Sequence, residues 1–324
     1  MSTRPVLSDQ AVPMSTTATG THRIGHAVLD HIAHAVPRWQ DVWHRYATDL
    51  GAVWSSGGPG PGFAPAQLRF ANGARVEVLM PWAVEVNDFL SRFLAASGPG
   101  PHHLTFKVPD LAAAMEEARA FGIQPIGIDV RDPEWLEAFL HPKEATGVVV
   151  QLAQASEGWS NPAPDDYPTD RRIRSDGSGP VPPAALMRAC HVVADLDMAT
   201  ALFAGLLDGQ VMGEGGSDGL RWIDLAWPGP LGVRLLGADT PVDDPGGPVA
   251  RWLGGRPGRV HHLTVATEEP AGVPGAKPAA SAFALVEVAG GGGAAWEVDR
   301  ADNAGLGIVL VPPVADSGDH PAGR

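Results

Sequence analysis

A single cysteine, Cys190, stands in a chain of 324 residues. No intrachain disulfide can form, which fits a reducing compartment, and a cytoplasmic location is expected. Cys190 itself reads as a small buried apolar residue. Basic residues are also scarce: 23 Lys and Arg face 37 Asp and Glu, a formal charge of −14. With no Lys/Arg run, such a chain repels phosphate backbones, so no nucleic-acid partner is expected. Long apolar runs are missing as well. The N-terminal MSTRPVLSDQAVPMSTTATG has no hydrophobic centre, so neither a signal peptide nor a membrane span is expected. Residues 1–27 are expected to form a disordered tail.

Hydrophobic residues make up 44% of the chain, enough for a core in each of about two domains. Residues 156–185, SEGWSNPAPDDYPTDRRIRSDGSGPVPPAA, replace apolar periodicity with proline, glycine and charge, which reads as a linker. The expected domains are therefore 28–155 and 186–313, with 314–324 a second tail.

Each half divides again. DHIAHAV (30–36) alternates like a strand. A helix is predicted from about Pro37 to Leu50, with Trp39, Trp43, Tyr46 and Leu50 on one face. AQLRFA and ARVEVLM flank Asn72-Gly73, a strong hairpin signal. PHHLTFKV (101–108) then restarts the order. Asp110 is placed to cap a helix whose apolar face holds Leu111, Ala114, Met115, Ala118 and Phe121, and Gly122 is placed to end it. Strands are predicted at QPIGIDV, LEAFLHP and GVVVQLAQ. The second half repeats the plan from RACHVVAD and again from VHHLTVAT, where EEPAGVPGAKP nearly erases the helix and SAFALVEV, AAWEVDR and GIVLVPP read as strands. Four copies of one strand-helix-three-strand unit are visible.

The spacings are regular. His31 and His103 are 72 residues apart, Glu77 and Gln151 are 74 apart, and His191 and His262 are 71 apart. Between halves, His31 to His191 is 160 and His103 to His262 is 159. Adjacent strand residues point to opposite faces. If His103 points inward, His102 is left for packing or surface.

The segments DHIAHAV, ARVEVLMP (74–81), PHHLTFKV and FLHPKEATGVVVQL (139–152) resemble the vicinal oxygen chelate superfamily, which includes glyoxalase I, methylmalonyl-CoA epimerase, extradiol dioxygenases and bleomycin-resistance proteins. They look most like the epimerase branch, well over 28–155 and weakly over 186–313. The resemblance implies an α+β fold: four βαβββ units pair into two cups of mixed, mostly antiparallel curved sheet with helices outside. It also implies inward ligands for a divalent metal at His31, Glu77, His103 and Gln151, with Glu77 and Gln151 as the catalytic positions. Two imidazoles and a carboxylate suit Fe, Zn, Co, Ni or Mn. Gln151 is neutral, and can be a weak fourth ligand or a substrate hydrogen-bond partner. Where the epimerases carry a glutamate on the last strand, this chain has Gln151, and the Gly/Pro-rich lip at 57–65 holds no acid. Glu137, on a neighbouring strand, is left either to face the cup or to lie at the surface.

At the corresponding positions of the second half stand His191, Arg234, His262 and Val311. Arginine and valine offer a metal nothing, so no metal is expected there. Arg234 is left either to hold an anionic ligand or to meet an acidic neighbour. The function implied is that of a metal-dependent isomerase, epimerase or lyase acting through the enolate of a small carbonyl or hydroxy-acid substrate. Two alternatives are an Fe(II) dioxygenase and a non-catalytic small-molecule-binding protein of the resistance type. A monomer or homodimer is expected.

Overall fold

The alternation in DHIAHAV becomes strand β1 (Val28–Ala35), the centre of the first of two curved sheets in the computed structural model, which describes residues 22–155, 182–239, 246–288 and 294–313. The first sheet adds β2 (Val53–Gly57), β3 (Gly62–Arg69), β4 (Arg75–Trp82), β5 (Gly100–Lys107), β6 (Ile126–Asp132), β7 (Trp135–Leu140) and β8 (Val149–Ala155). Their order is β2-β3-β4-β1-β5-β8-β7-β6. Each unit closes with a parallel pair, β1 with β4 and β5 with β8, and the antiparallel β1–β5 pair joins the two units.

The second sheet repeats this order with β9 (Ala185–Val193), β10 (Gln210–Ser217), β11 (Leu220–Ala226), β12 (Gly232–Ala238), β13 (Gly258–Ala266), β14 (Lys277–Pro278), β15 (Trp296–Val298) and β16 (Gly307–Val311). The α+β architecture of four units in two cups is thus present.

Outside the first sheet, α1 (Gln40–Trp43) runs into a π turn over His44–Asp49. Tyr46 and Leu50 are buried against the sheet, as the periodicity predicts. Helix α3 (Leu111–Phe121) begins at Asp110, whose side chain accepts from the Ala113 N–H, and ends at Gly122 with φ of 102°. Such a cap stabilises a helix by about 1 kcal/mol. In the second half, Asp195 caps α4 (Leu196–Thr200) in the same way.

Several expectations need correction. Residues 22–27, assigned to the tail, are packed: Ile24 and Ala27 are buried, and the Ile24 N–H donates to the Leu206 carbonyl. The lip shrinks to 58–61, because Gly62 already begins β3. Two helices carry no prediction: α2 (Phe89–Ser97) and α5 (Pro248–Leu253). SAFALVEV is not a strand. It forms α6 (Ala282–Leu285) and a 3₁₀ turn over Val286–Val288. Ser281 caps it by accepting from the Ala284 N–H, and a short apolar run reads equally well as buried strand or buried helix. Of the expected linker 156–185, residues 156–181 lie outside the described residues, as do residues 1–21 of the expected tail and the segment 314–324; its last residues belong to the second domain, with Ala184 buried and β9 beginning at Ala185.

The two sheets meet through reciprocal contacts. His34 Nε2 donates to the Ala304 carbonyl at 2.9 Å, while His191 Nε2 donates to the Thr146 carbonyl at 2.9 Å. Backbones touch beside both bonds. A Cβ on Gly147 would lie 2.1 Å from the Gly258 oxygen, and one on Gly305 would lie 1.9 Å from the Pro99 oxygen. Only glycine permits that approach.

Candidate metal centre

Strand register decides which side chains share the concave face of the first cup. His31 lies opposite Thr105, Glu77 opposite Gln67, and Thr105 opposite Gln151. His31, Glu77 and His103 are all buried, and each offers a ligand atom within 4.8 Å of the others. Glu77 Oε2 lies 3.5 Å from His31 Nε2 and 3.6 Å from His103 Nε2. His31 and Glu77, 46 positions apart, and His103, a further 26 positions on, thus converge at one point.

Each ligand candidate is held by a neighbour. His31 Nδ1 donates to Asp30 Oδ2 at 2.8 Å. Adjacent strand residues normally face apart, but the β1–β5 register shifts between Leu29 and His31. A bulge of this kind re-aims a side chain. Asp30 also meets Arg75 and Lys107. Burial opposes its charge, but His31 and these cations outweigh burial and hold the carboxyl well below its usual range. Burial likewise opposes charge on His31, yet Glu77 and Asp30 overcome it and push the imidazole up to about 9. Carboxylate, imidazole and an inward Nε2 form the arrangement that orients a metal-ligating histidine.

Gln67 donates to Glu77 Oε1 at 3.2 Å and is itself fixed by Ser56. Thr105 Oγ1 lies 2.9 Å from His31 Nε2 and donates to Gln151 Oε1 at 2.6 Å. Gln151 Nε2 donates to Glu137 Oε2 at 2.6 Å, which also accepts from the Trp135 indole at 2.7 Å. Glu137 therefore does face the cup. Burial foremost raises its pKa. Together with Asp129, Arg131, Asp132 and Trp135 it lines a cavity of about 370 Å³.

His102 turns away from the cup floor and packs between Phe89 and Phe93 of α2, at ring distances of 6.1 and 4.6 Å. Its Nδ1 lies 2.8 Å from His103 Nδ1. With the shared proton on His103 Nδ1, His103 Nε2 becomes a bare lone pair. That atom is buried and has no hydrogen-bond partner among the described residues. Burial, aided by His102 and His31, holds His103 neutral. A buried lone pair 3.6 Å from a carboxylate oxygen is unfavourable unless a cation lies between them. The donor set fits a divalent metal.

The second cup differs. Arg188, opposite Thr264, takes the register position of His31, and Val309, also opposite Thr264, takes that of Gln151. The assignments to His191 and Val311 are corrected accordingly: an insertion-free offset misplaces residues when the strands' bulges differ. His191 corresponds to His34 and faces the junction. Arg234 does meet an acid, donating from Nε and Nη2 to Asp224 at 2.6 Å each. The segment 282–288 enters this cup. Phe283 and Val286 pack on Cys190, Val192 and Leu236, and Glu287 contacts Arg188, Arg234 and His262. Cys190, His262 and Glu287 also lie within mutual reach, but Glu287 is already engaged by two guanidiniums. Thr264, the counterpart of Thr105, is left with an unpartnered buried hydroxyl.

Asp30, Gln67, Thr105 and Glu287 carry no prediction. The bulge that turns Asp30 inward and the helical plug that brings in Glu287 leave no periodic trace in the sequence.

Residues 30–139 match a model of the glyoxalase/bleomycin resistance protein/dioxygenase superfamily. The human mitochondrial methylmalonyl-CoA epimerase is 30% identical over 133 residues, 39% of this chain and 73% of that protein. The structure of methylmalonyl-CoA epimerase from Mycobacterium tuberculosis is 25% identical and covers 40% of this chain and 88% of its own, with a TM-score of 0.36. A variant of 4-hydroxymandelate synthase from Streptomyces coelicolor covers 88% of this chain and 92% of its own with a TM-score of 0.56; at 13% identity this likeness is one of fold. No helix among the described residues is long and apolar enough to cross a membrane.

Proposed function

Because the chain belongs to the glyoxalase/bleomycin resistance protein/dioxygenase superfamily, we propose that its first cup binds one divalent metal through His31, Glu77 and His103 and acts as an isomerase, epimerase or lyase on a small carbonyl or hydroxy-acid substrate. The carrying observation is the unpartnered His103 Nε2 facing Glu77 and His31. His31, Glu77 and His103 would hold the cation, which would supply Lewis-acid stabilisation of negative charge developing on a substrate oxygen.

The chain's own residues divide the remaining work. Asp30 fixes the His31 tautomer with Nε2 inward. Gln151 cannot take a proton near neutral pH, but its amide orients Glu137. Glu137, with its pKa raised by burial and its place on the cavity wall, accepts or returns the proton on the substrate carbon. Glu77 remains with the cation. The relatives named epimerases support this direction, while Gln151 on the last strand turns the reading away from methylmalonyl-CoA itself. The test is solvent deuterium uptake at the α-carbon of a panel of 2-oxo acids, 2-hydroxy acids and acyl thioesters. Metal-loaded protein is expected to catalyse exchange with at least one, and H103A to lose it. Absence of exchange across the panel contradicts the proposal.

Two histidines with one carboxylate also make the ligand set of Fe(II) oxygenases, which supports a dioxygenase as the second reading. Oxygen consumption by Fe(II)-loaded protein with a catechol panel distinguishes it.

A further inference from the structure

In the second sheet's half of the chain, three arginines have no carboxylate partner among the described residues. Arg259, at the start of β13, and Arg300, on the 3₁₀ turn Arg300–Asn303, both address the indole of Trp252 on α5, with Cζ atoms 5.3 and 4.9 Å from its ring centroid. Arg256 lies on the short segment joining α5 to β13. Among the described residues its guanidinium makes one hydrogen bond, a long contact of 3.4 Å to the Leu253 carbonyl. Among the described residues neither Arg259 nor Arg300 has a side-chain hydrogen bond or an ion pair. By contrast Arg38, Arg45, Arg75, Arg119 and Arg131 each meet a carboxylate. The Trp252 Nε1 is buried and also lacks a partner.

In a chain of net charge −14, neighbouring guanidiniums with no carboxylate partner among the described residues are against the trend. Stacking on Trp252 uses the guanidinium faces of Arg259 and Arg300 and leaves their N–H edges without a protein partner among the described residues. Half-burial of Arg259, then repulsion from Arg300 and Arg256, lowers its pKa, the direction expected where an anion is called for. Planar guanidinium forks bind tetrahedral oxyanions in bidentate fashion. His261, a titratable group whose ring centroid lies 4.4 Å from that of Trp252, is held neutral by burial, His262, Arg300 and Arg259. It adds no negative charge.

We propose that Arg259 and Arg300 at Trp252, with the neighbouring Arg256, form a binding site for a phosphate-bearing anion, separate from the metal centre. The phosphate is free or carried on a small organic molecule. The site is held on the rigid start of β13 and on the turn whose Ala304 carbonyl accepts from His34 across the junction, so its occupancy also braces the contact between the sheets.

The test is calorimetric titration of the full chain with pyrophosphate and, separately, with adenosine diphosphate, against sodium chloride of equal ionic strength. Saturable binding of one equivalent is expected for pyrophosphate, and R259Q or R300Q is expected to weaken it about tenfold or more, the loss of one charge-assisted pair. R38A should leave it unchanged. Binding of adenosine diphosphate alone also supports the proposal and assigns the phosphate to an organic carrier. Should a variant misfold, Trp252 fluorescence in the wild-type protein replaces it: a saturable change with phosphate anions but not chloride is expected. Heats and fluorescence indistinguishable from chloride, or equal affinity in folded R259Q and R300Q, would overturn the proposal.

Discussion

Asp30 and His31 are sequence neighbours on one strand, yet their side chains bond to each other at 2.8 Å on the same face of the sheet. The register shift at this point makes that possible. Asp30 thereby fixes which nitrogen of His31 faces the cup, and Arg75 and Lys107 keep Asp30 charged.

Replacing Asp30 by Asn removes the charge but keeps the shape. Metal affinity, measured by competition with a chromophoric chelator, is expected to fall by about 10–100-fold, the usual effect of losing such a partner. Far-ultraviolet circular dichroism should be unchanged. Unaltered affinity in D30N would mean that His31 does not ligate.

His34 links the two sheets while remaining neutral. It accepts from the Tyr46 hydroxyl at 2.9 Å and donates to Ala304, and burial lowers its pKa to about 4. An unfolded histidine titrates near 6.5, so between these values the unfolded chain binds the extra proton. The stabilising contribution is therefore complete above about pH 6.5 and is lost as pH falls towards 4, by up to about 3 kcal/mol. His191 behaves in the same way. Urea unfolding at pH 7 and pH 4.5 should show a smaller pH dependence for H34Q than for the wild type. An equal dependence would show that His34 is not held neutral.

In the second cup, Arg234 answers both Asp224 and Glu287. R234M leaves two buried or half-buried carboxylates without that partner, and is expected to cost about 3–5 kcal/mol in unfolding free energy. Metal content should stay as in the wild type. Loss of metal from folded R234M would mean that the second cup, rather than the first, holds the ion.

Legibility followed periodicity. Asp110, Gly122 and the Asn72-Gly73 turn are local chemistry and are found where expected. His31, Glu77 and His103 are picked out by the family resemblance together with the regular spacing of the repeat, and the structure brings their ligand atoms within 4.8 Å of one another. The losses are equally physical. A bulge shifts register by one residue without changing composition, so Asp30 stays hidden and His191 is mistaken for the partner of His31, a place that Arg188 takes. SAFALVEV carries no period that separates strand from helix; the Ser281 cap and the two-residue β14 settle it as a plug.

The most direct measurement is elemental analysis of untagged protein after anaerobic purification and equilibration with a mixture of Fe, Zn, Co, Ni and Mn, with H31A and H103A alongside. One divalent ion per chain in the wild type and loss of it in both folded variants is the result the geometry of His31, Glu77 and His103 requires. A wild-type chain that retains no ion, or variants that retain it fully, would contradict the metal centre and leave the first cup a binding pocket alone.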